Sequence, residues 1–506
     1  MTIAGAIYLR AKSIAIVGAG PSAVAAAKYL LAEKAFDRIE IFEQRGKAGG
    51  IWNYTNHQRN ESLFRIPQTN PRGENQDPFW EPKSTDTISL GETDESENFN
   101  LQPNVSYISP IYDDLETNNP RPLMQFQGQE WPPNTPLYPR HELVLAHVEA
   151  YGKDVQHLVH YETQVVNVEP VNESAWAVTT RNLRSSERST EVFDAVIVAN
   201  GHFIVPQIPD ISGIREWNKC YPGSITHAKY YRRSSEFTGK KVIVVGNSAS
   251  GSDISFQICQ SSQQPLLWSC RSSSPANAIS THLRRELPPI SRFLPENRTV
   301  EFEDGTLETG IDAILFATGY FYSLPFLENL QPKLITDGSQ VNHTYQHLFY
   351  APRPTLSFLV LNQRVTPFPV AEAQSAVLAR ILSGRLSLPD QSIMEEWQQK
   401  TISESVVSRN FHLLPAPKDA QYMNEMSDWA LSAPPREGLE NEGQGKIPPR
   451  WGEYEFWCRE NFPSIRKAFM AFGEERTNVT ELADVAFGYN DFLEHKKVRS
   501  VLDFVS

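Results

Sequence analysis

The sequence predicts an α/β protein with two dinucleotide-binding, Rossmann-like domains, the second inserted into the first, and with a helical C-terminal extension. Two glycine-rich turns are the basis of this prediction. The turn at 18–23 follows an apolar strand at 13–17, and the turn at 246–251 follows another at 241–245. Such a turn directs the free backbone N–H groups at the start of the next helix toward a pyrophosphate. Two of them, about 230 residues apart, indicate an enzyme that transfers electrons between two dinucleotides.

The first turn is predicted to bind FAD because of the residue that ends the following strand. The strand at 38–42 leads into Glu43, about 23 residues beyond Gly20. A carboxylate at this place accepts hydrogen bonds from ribose hydroxyls and repels a 2′-phosphate. The other interpretation is an ordinary solvated charge at a strand end. The residues predicted to contact FAD here are Gly18, Ala19, Gly20, Pro21, Ser22, Glu43 and Gln44.

The second turn is predicted to bind NADPH by the same reasoning with the opposite charge. The strand at 265–270 leads into Arg271, about 20 residues beyond Gly251, and three serines follow. A guanidinium suits the 2′-phosphate of NADP, and hydroxyls can share the phosphate oxygens. A solvated arginine is the alternative here too. The residues predicted to contact NADPH are Gly246, Ser250, Gly251, Ser252, Asp253 and Arg271.

The spacing of the turns and strands predicts where the domains divide. The predicted parts are 1–209 and 319–430 for the FAD domain, 210–318 for the inserted NADP domain, and 431–506 for a linker and the extension. Proline, glycine and glutamate at about 427–449 predict a poorly ordered linker. Aromatic residues beyond it predict helices that pack back onto the body. The acidic stretch at 91–97 is predicted to be a solvated loop.

Composition restricts the class of protein. The chain has 506 residues, 40% of them hydrophobic, and a formal net charge of −13. That charge argues against nucleic acid or an anionic membrane as the main partner. The sequence shows neither an apolar run of transmembrane length nor a secretory signal, and its four cysteines are dispersed without metal-ligand spacing. We therefore expect a cytoplasmic enzyme without a membrane anchor or metal, which acts on a small molecule and could form a homo-oligomer.

Several motifs resemble those of flavin-containing monooxygenases, a group of class B flavoprotein monooxygenases. They are EQRGKAGGIW at 43–52 for the family's E-x(5,6)-G-G-x-W, LETNNP at 115–120 for L-x-T-N-x-P, YPGSITHAKYY at 221–231 for F-x-G-x-x-x-H-x-x-x-[F/Y/W], and ATGY at 317–320 for A-T-G-Y. The likeness runs from about residue 12 to 429 and is closest to the fungal, thiol-oxidising branch. Tyr221 replaces the leading Phe of the third motif.

This resemblance implies an FAD- and NADPH-dependent enzyme of the N,N-dimethylaniline monooxygenase type. NADPH would reduce FAD, O₂ would form a hydroperoxide at flavin C4a, and a nucleophilic sulfur or nitrogen of a small molecule would take the distal oxygen. Asn118 matches the family's active-site asparagine and is the candidate catalytic residue, although it could instead form an Asx-turn before Pro120. Thr117 and Asn119 would touch the cofactors. Gly50, Ile51 and Trp52 would contact FAD, although their turn could instead be an ordinary corner of the core. Gln374 would reach the flavin or nicotinamide, or serve the N-terminus of its helix.

Other functions remain open on the sequence alone. Ala228 and Tyr231 stand where Baeyer–Villiger relatives usually carry Thr and Trp, which favours heteroatom oxygenation over attack on a ketone. A flavoprotein that oxidises NADPH and releases peroxide is the second alternative. A disulfide reductase is disfavoured because no closely spaced cysteine pair lies near either turn. We interpret His227 as a hydrogen-bonded scaffold residue rather than a proton carrier.

Overall fold

The computed structural model describes residues 5–56, 65–73, 79–81, 104–272 and 282–505. The α-helices are α1 Pro21–Glu33, α2 His141–Tyr151, α3 Ile214–Cys220, α4 Ala249–Ile258, α5 Pro367–Leu382, α6 Gln391–Ser405, α7 Lys418–Leu431, α8 Glu453–Met470 and α9 Tyr489–Val505.

The strands alternate with these helices. The strands up to the second glycine turn are β1 Ser13–Val17, β2 Arg38–Phe42, β3 Phe79–Glu81, β4 Asn104–Ser106, β5 Val159–His160, β6 Thr163–Asn172, β7 Ala175–Asn182, β8 Arg188–Phe193, β9 Ala195–Val198, β10 Val205–Pro206, β11 Ile225–His227 and β12 Val242–Val245. Those that follow are β13 Leu266–Ser269, β14 Arg284–Leu287, β15 Ile290–Leu294, β16 Thr299–Phe302, β17 Leu307–Glu308, β18 Ala313–Phe316, β19 Tyr320–Phe321, β20 Thr344–Tyr345, β21 Phe349–Tyr350 and β22 Leu356–Phe358.

The first glycine turn belongs to a seven-stranded sheet of order β20-β21-β22-β9-β1-β2-β5. The five strands from β22 to β5 run parallel, with β1 between β9 and β2. Helices α1 and α5 pack together beside this sheet, and α5 is buried along almost its whole length. Alanines, valines and leucines fill most of α5, and its buried Glu372, Gln374 and Arg380 are hydrogen-bonded to other parts of the protein. The antiparallel sheet β6-β7-β8 forms a separate layer.

The second glycine turn belongs to a five-stranded parallel sheet of order β11-β18-β12-β13-β14. The chain enters this unit after β10 and returns at β19. These two short strands pair antiparallel, so the two crossings lie side by side. The α/β class, the two nucleotide-binding units and the helical C-terminal region are as predicted, whereas the domain boundaries stay a prediction.

Local sequence explains how the first helix begins. Gly18 adopts φ +98°, a conformation that side chains with a Cβ rarely take. Pro21 occupies the first turn of α1, where its missing N–H costs nothing, and alanines fill the face of the helix toward the sheet. The helix ends at Lys34 in the left-handed region. The turn therefore presents its N–H groups at the carboxyl end of β1.

The predicted poorly ordered linker is wrong. Residues 427–431 belong to α7, and buried arginines of the FAD-type unit bind the backbone of the following segment. Arg380 donates to the carbonyl oxygens of Gln444 and Lys446, at 2.8 and 3.1 Å. Arg385 donates to the carbonyl oxygens of Pro434 and Gly443, at 3.0 and 2.9 Å. Composition reveals no such partner, because the arginines lie about 50 residues or more away in the sequence.

The C-terminal extension packs back onto the body, as predicted. Trp457, Ile465 and Phe469 of α8 are buried in the same core as α1 and α5. The acidic stretch at 91–97 lies outside the described residues. In the part of the chain that the structure describes, no helix combines the length and apolarity needed to cross a membrane. Nor do three or more His, Cys, Asp or Glu side chains gather there as a metal site.

Candidate cofactor and active site

The first glycine turn meets a second pair of glycines, backbone against backbone. Gly49 donates its N–H to the carbonyl of Ala19 at 2.9 Å. A Cβ added to Gly50 would lie 3.0 Å from the Cα of Gly20, so only glycine fits this approach without displacement. The two segments form a cradle without side chains, which is the shape that a bound pyrophosphate and flavin need.

Glu43 is buried at the edge of this cradle and is bound by backbone N–H groups. Its carboxylate accepts from Ala19 N and Arg45 N, both at 2.7 Å. Burial raises the pKa of Glu43, although these hydrogen bonds act in the opposite direction. The carboxylate therefore fixes the glycine turn, and its remaining lone pairs are free to accept from ribose hydroxyls. It is not the solvated charge that the alternative interpretation proposed.

A cavity of about 390 Å³ opens from the cradle. Of the predicted FAD contacts, those that line it are Gly18, Gly20, Pro21, Ser22, Glu43, Gln44, Gly50, Ile51 and Trp52. Ala19 is buried behind them. The cavity extends past Asn200, His202 and Phe203 to Lys229 and Tyr230, which stand at the entry to the second unit. The lining residues therefore fit FAD, and they lead from its turn toward the other nucleotide.

The second glycine turn is closely packed against its own sheet. Gly246 adopts φ +108°, and a Cβ there would lie 2.5 Å from the carbonyl oxygen of Ala317. A Cβ on Gly251 would lie 2.1 Å from the carbonyl oxygen of Gly246. Ser250 and Ser252 are half-buried in the first turn of α4, which begins at Ala249. None of these residues lines the 390 Å³ cavity.

Asp253 connects the second unit to the first. Its carboxylate accepts from the Tyr112 hydroxyl and, at 3.1 Å, from Gln257 Nε2. Burial raises the pKa of Asp253. Since both oxygens of a carboxylate accept more than one hydrogen bond, these contacts leave capacity for a ribose. They also fix α4 to the loop that carries Tyr112.

Arg271 is exposed just beyond the end of β13, where a 2′-phosphate can reach it. Arg409, which the sequence analysis missed, lies close by. Burial, together with the charge of Arg271, lowers the pKa of Arg409, and its Nη2 donates to the carbonyl of Thr318 at 2.9 Å. Two neighbouring guanidinium groups create a positive field that suits a phosphate. Of the three serines after Arg271, only Ser272 belongs to the described residues.

The segment with the candidate catalytic residue lies outside the 390 Å³ cavity. Thr117 and Asn119 are buried, and Thr117 Oγ1 donates to the carbonyl of Asn119 at 2.9 Å. The side chain of Asn118 between them is exposed. The structure therefore does not bring Asn118 against the first turn. Its role stays a prediction.

Gln374 lies in α5, where its amide is fully engaged by protein groups. Its Oε1 accepts from Val360 N at 2.8 Å, and its Nε2 donates to Asn362 Oδ1 and to the Tyr422 hydroxyl. Val360 lines the cavity, whereas Gln374 does not. Gln374 thus acts on the site by fixing Val360, which neither of the two predicted roles described.

The motif at 221–231 supplies residues that the sequence analysis did not assign to a site. Lys229 lines the cavity, and burial and the nearby Arg45 and Arg232 lower its pKa to about 7. His227 accepts from Lys229 N through Nδ1 and bonds the carbonyl of Gly319 through Nε2. Burial lowers the pKa of His227 to about 3, which agrees with a scaffold role. The position of Lys229 inside the motif was the available signal.

The family model described as flavin-binding monooxygenase-like matches residues 100–282 and 289–435. An FAD-NAD(P)-binding model matches residues 15–91. Together with the two glycine turns, these matches place the chain in the flavin-containing monooxygenase family. It is an FAD-dependent monooxygenase, and the two models support FAD and NADPH as its cofactors.

Individual relatives extend over most of the chain. The thiol-specific monooxygenase of Saccharomyces cerevisiae is 30% identical over 84% of this chain and 87% of its own length. The flavin-containing monooxygenase ustF2 of Aspergillus flavus is 28% identical over 89% and 97%. The S-allyl-L-cysteine S-oxygenase of Allium sativum, a solved structure, superposes with a TM-score of 0.71 at 24% identity, covering 95% of this chain and 97% of its own. This last likeness shows the shared fold.

Proposed function

We propose that the protein uses NADPH and O₂ to oxygenate a nucleophilic sulfur or nitrogen atom of a small molecule. The observation that carries the proposal is the cavity that joins the FAD cradle to Lys229 and Tyr230 at the entry to the second unit. It provides a path along which a nicotinamide can meet the flavin. The sulfur preference is supported by the relative named as a thiol-specific monooxygenase.

The chain's own groups have positioning tasks in this reaction. The glycine cradle and Glu43 orient FAD, and Arg271 with Arg409 select the phosphorylated nucleotide. When bound and reduced, the flavin supplies the oxygen-activating chemistry. The apolar part of the cavity wall, including Trp52 and Phe368, excludes water from it. No side chain of the described cavity is required as a nucleophile.

A substrate comparison tests the proposal. The FAD-loaded protein is mixed with NADPH and air in the presence of cysteamine, glutathione, methimazole, a tertiary amine or a cyclic ketone. Oxygenated sulfur or nitrogen products are expected, identified by mass spectrometry alongside NADPH consumption. An oxygenated ketone with unchanged thiols and amines would instead establish Baeyer–Villiger chemistry. One peroxide released per NADPH with every substrate would establish a peroxide-releasing flavoprotein.

Asn118→Leu tests the proposed catalytic residue. The substitution keeps the volume but removes both hydrogen-bonding ends, at a cost of about 1–3 kcal/mol where cofactor groups lose their partner. We expect the FAD content and the anaerobic reduction by NADPH to survive, while product formation falls and peroxide release rises. A variant that turns over normally, or that emerges without flavin, would show that Asn118 only shapes its turn.

A further inference from the structure

The segment 115–121, which carries Asn118, is held near its start by the C-terminal extension. Glu116 accepts from Arg476 Nε at 2.8 Å and from Arg466 Nη2 at 3.2 Å. Its side chain is only 9% exposed. Arg466 comes from α8, and Arg476 from the turn that follows α8. Two arginines of the extension thus converge on a single carboxylate, two residues before Asn118.

The end of the same segment is held by the next part of the extension. Arg121 donates through Nη2 to the carbonyl of Thr480 at 3.0 Å and to Glu481 Oε1 at 2.6 Å. Its N–H donates to the carbonyl of Leu137, whose own N–H donates to the carbonyl of Val479 at 2.8 Å. The extension therefore grips the segment on both sides of Asn118.

The contact between Arg466 and Glu116 is not an ordinary surface ion pair. The Arg466 guanidinium lies 4.6 Å from the centre of the Tyr138 ring and 5.4 Å from that of Phe469, and four-fifths of the side chain is buried. A cation stacked on aromatic rings and paired with a buried carboxylate is less screened than an exposed pair. Losing one partner would leave the other charge poorly solvated. The contacts that Glu116 and Arg121 make with the extension, together called the clamp, are therefore strong enough to fix the segment.

The clamp also lies near the second nucleotide site. Burial raises the pKa of Asp253, and the charges of Arg466 and Arg476 oppose that rise. Asp253 is the fifth residue of α4, just beyond its first turn, and accepts from the Tyr112 hydroxyl, three residues before Leu115. The segment 115–121 is thus held between the extension and the N-terminus of the helix that is predicted to meet NADPH.

We propose that Glu116, Arg121, Arg466 and Arg476 are positioning residues that hold Asn118 in its working place, so that the extension is part of the active site. The inference rests on the proposed function of Asn118. The extension lies beyond residue 435, where the family model's match ends. Arg466 and Arg476 thus belong to a region that the family match does not cover, whereas Glu116 and Arg121 lie inside it.

The test compares Arg476→Met, Glu116→Gln and the double variant Arg466→Met/Arg476→Met with a matched control, Arg450→Met. Arg450 also donates through Nε at 2.8 Å to a carboxylate, that of Asp428, and touches no residue of 115–121. Hydrogen–deuterium exchange is measured on peptides that span 113–124. FAD content, and the shares of oxidised NADPH recovered as product and as peroxide, are measured on the same samples.

We expect the amides of Thr117 and Arg121 to exchange about tenfold faster in the clamp variants, because local opening becomes easier. The share of NADPH recovered as peroxide should rise at unchanged FAD content. Arg476→Lys should restore most of the coupling, which is the share of oxidised NADPH recovered as product. Arg450→Met should match the unaltered protein in both measurements. If the double variant fails to fold, Glu116→Gln, which preserves shape, decides the question.

Two results would overturn the inference. Exchange that is unchanged in the clamp variants would show that the extension does not hold the segment. Faster exchange with unchanged coupling would show that the clamp has no bearing on the reaction. An unaltered protein that makes no product would refute the proposed function instead. In that case the exchange measurement would still decide whether the extension holds residues 115–121.

Discussion

In each nucleotide unit the glycine-rich turn lies close to another backbone segment, but the two units differ in which segment that is. In the first turn, the third glycine position of the motif is Ala23, which is fully buried, and the turn approaches the second glycine pair at 49–50. In the second turn, that position is Gly251, which lies directly against the backbone of Gly246. The first turn is thus open toward another loop, whereas the second is closed on itself. One motif accordingly tolerates an alanine that the other cannot.

The charged residues that are predicted to recognise the two nucleotides also differ, because one is buried and the other is exposed. Glu43 is buried and bonded to the backbone of its turn, so the protein itself holds this carboxylate in place. Arg271 is exposed to solvent just beyond the end of its strand, so its guanidinium is solvated when no phosphate contacts it. A preorganised site loses little freedom on binding, whereas an exposed arginine must be ordered. This contrast fits a cofactor that stays and a nucleotide that comes and goes.

Gly251→Ala should have the largest effect on the second unit. The new Cβ would lie 2.1 Å from the carbonyl oxygen of Gly246, so the turn itself must shift. Overpacking of this kind typically costs about 1–3 kcal/mol. We expect a lower melting temperature, measured by calorimetry, and a KM for NADPH too high to saturate.

Gly20→Ala is the contrasting change in the first unit. Its Cβ would lie 3.6 Å from the Cα of Gly50, an ordinary contact. The variant should therefore melt within about one degree of the unaltered protein. A substitution that creates no clash changes the free energy of unfolding by less than about 0.5 kcal/mol. Equal loss of stability in both variants would mean that the two turns are packed alike.

Arg271→Ala should weaken the second site without changing the first. Losing a charge-assisted contact to the 2′-phosphate costs about 1.5–3 kcal/mol, or roughly 10- to 150-fold in affinity. The KM for NADPH should rise by that factor, while NADH use and FAD content stay unchanged. The remaining discrimination against NADH should fall further in Arg271→Ala/Arg409→Met. Equal effects on both nucleotides would assign Arg271 to folding.

The sequence predicts the parts of both units that are local. Strand, turn and helix follow one another within about 20 residues, and Glu43 and Arg271 stand at fixed distances from their turns. Together with the family motif at 43–52, those patterns identified all of the cavity-lining residues among the first 52 except Val17, Phe42 and Arg45. What the sequence alone shows is therefore the cradle and its charge.

Contacts between distant segments could not be predicted. Gln374 reaches Val360 and Tyr422 only because α5, the loop after β22 and α7 meet in the folded protein. The linker is ordered by arginines far away in the chain, and Glu116 meets Arg476 across 360 residues. Composition and periodicity carry no information on such pairs. Only the packing of the helices brings them together.

A small change in stability at neutral pH should come from two buried histidines, one in each unit. His147 of α2 stacks on Trp131 with ring centroids 3.8 Å apart, and neither of its ring nitrogens has a hydrogen-bond partner among the described residues. Burial lowers its pKa to about 4. His147→Phe keeps the stacking and removes two unsatisfied nitrogens. We therefore expect a gain of about 1 kcal/mol or less in the free energy of unfolding at pH 7.

The pH dependence of this gain follows from the depressed pKa of His147. Below about pH 6.5 the unfolded chain takes up a proton that the folded protein refuses down to about pH 4, so stability falls as the pH drops through this window. His147→Phe removes this loss, and its advantage in melting temperature should grow from pH 7 to pH 5.

His227→Phe, in the second unit, is the contrast. Its imidazole bonds Lys229 N and the carbonyl of Gly319, so the variant should be less stable at pH 7. If both variants shift the melting temperature in the same direction at pH 7, the bonds of His227 do not distinguish the two units.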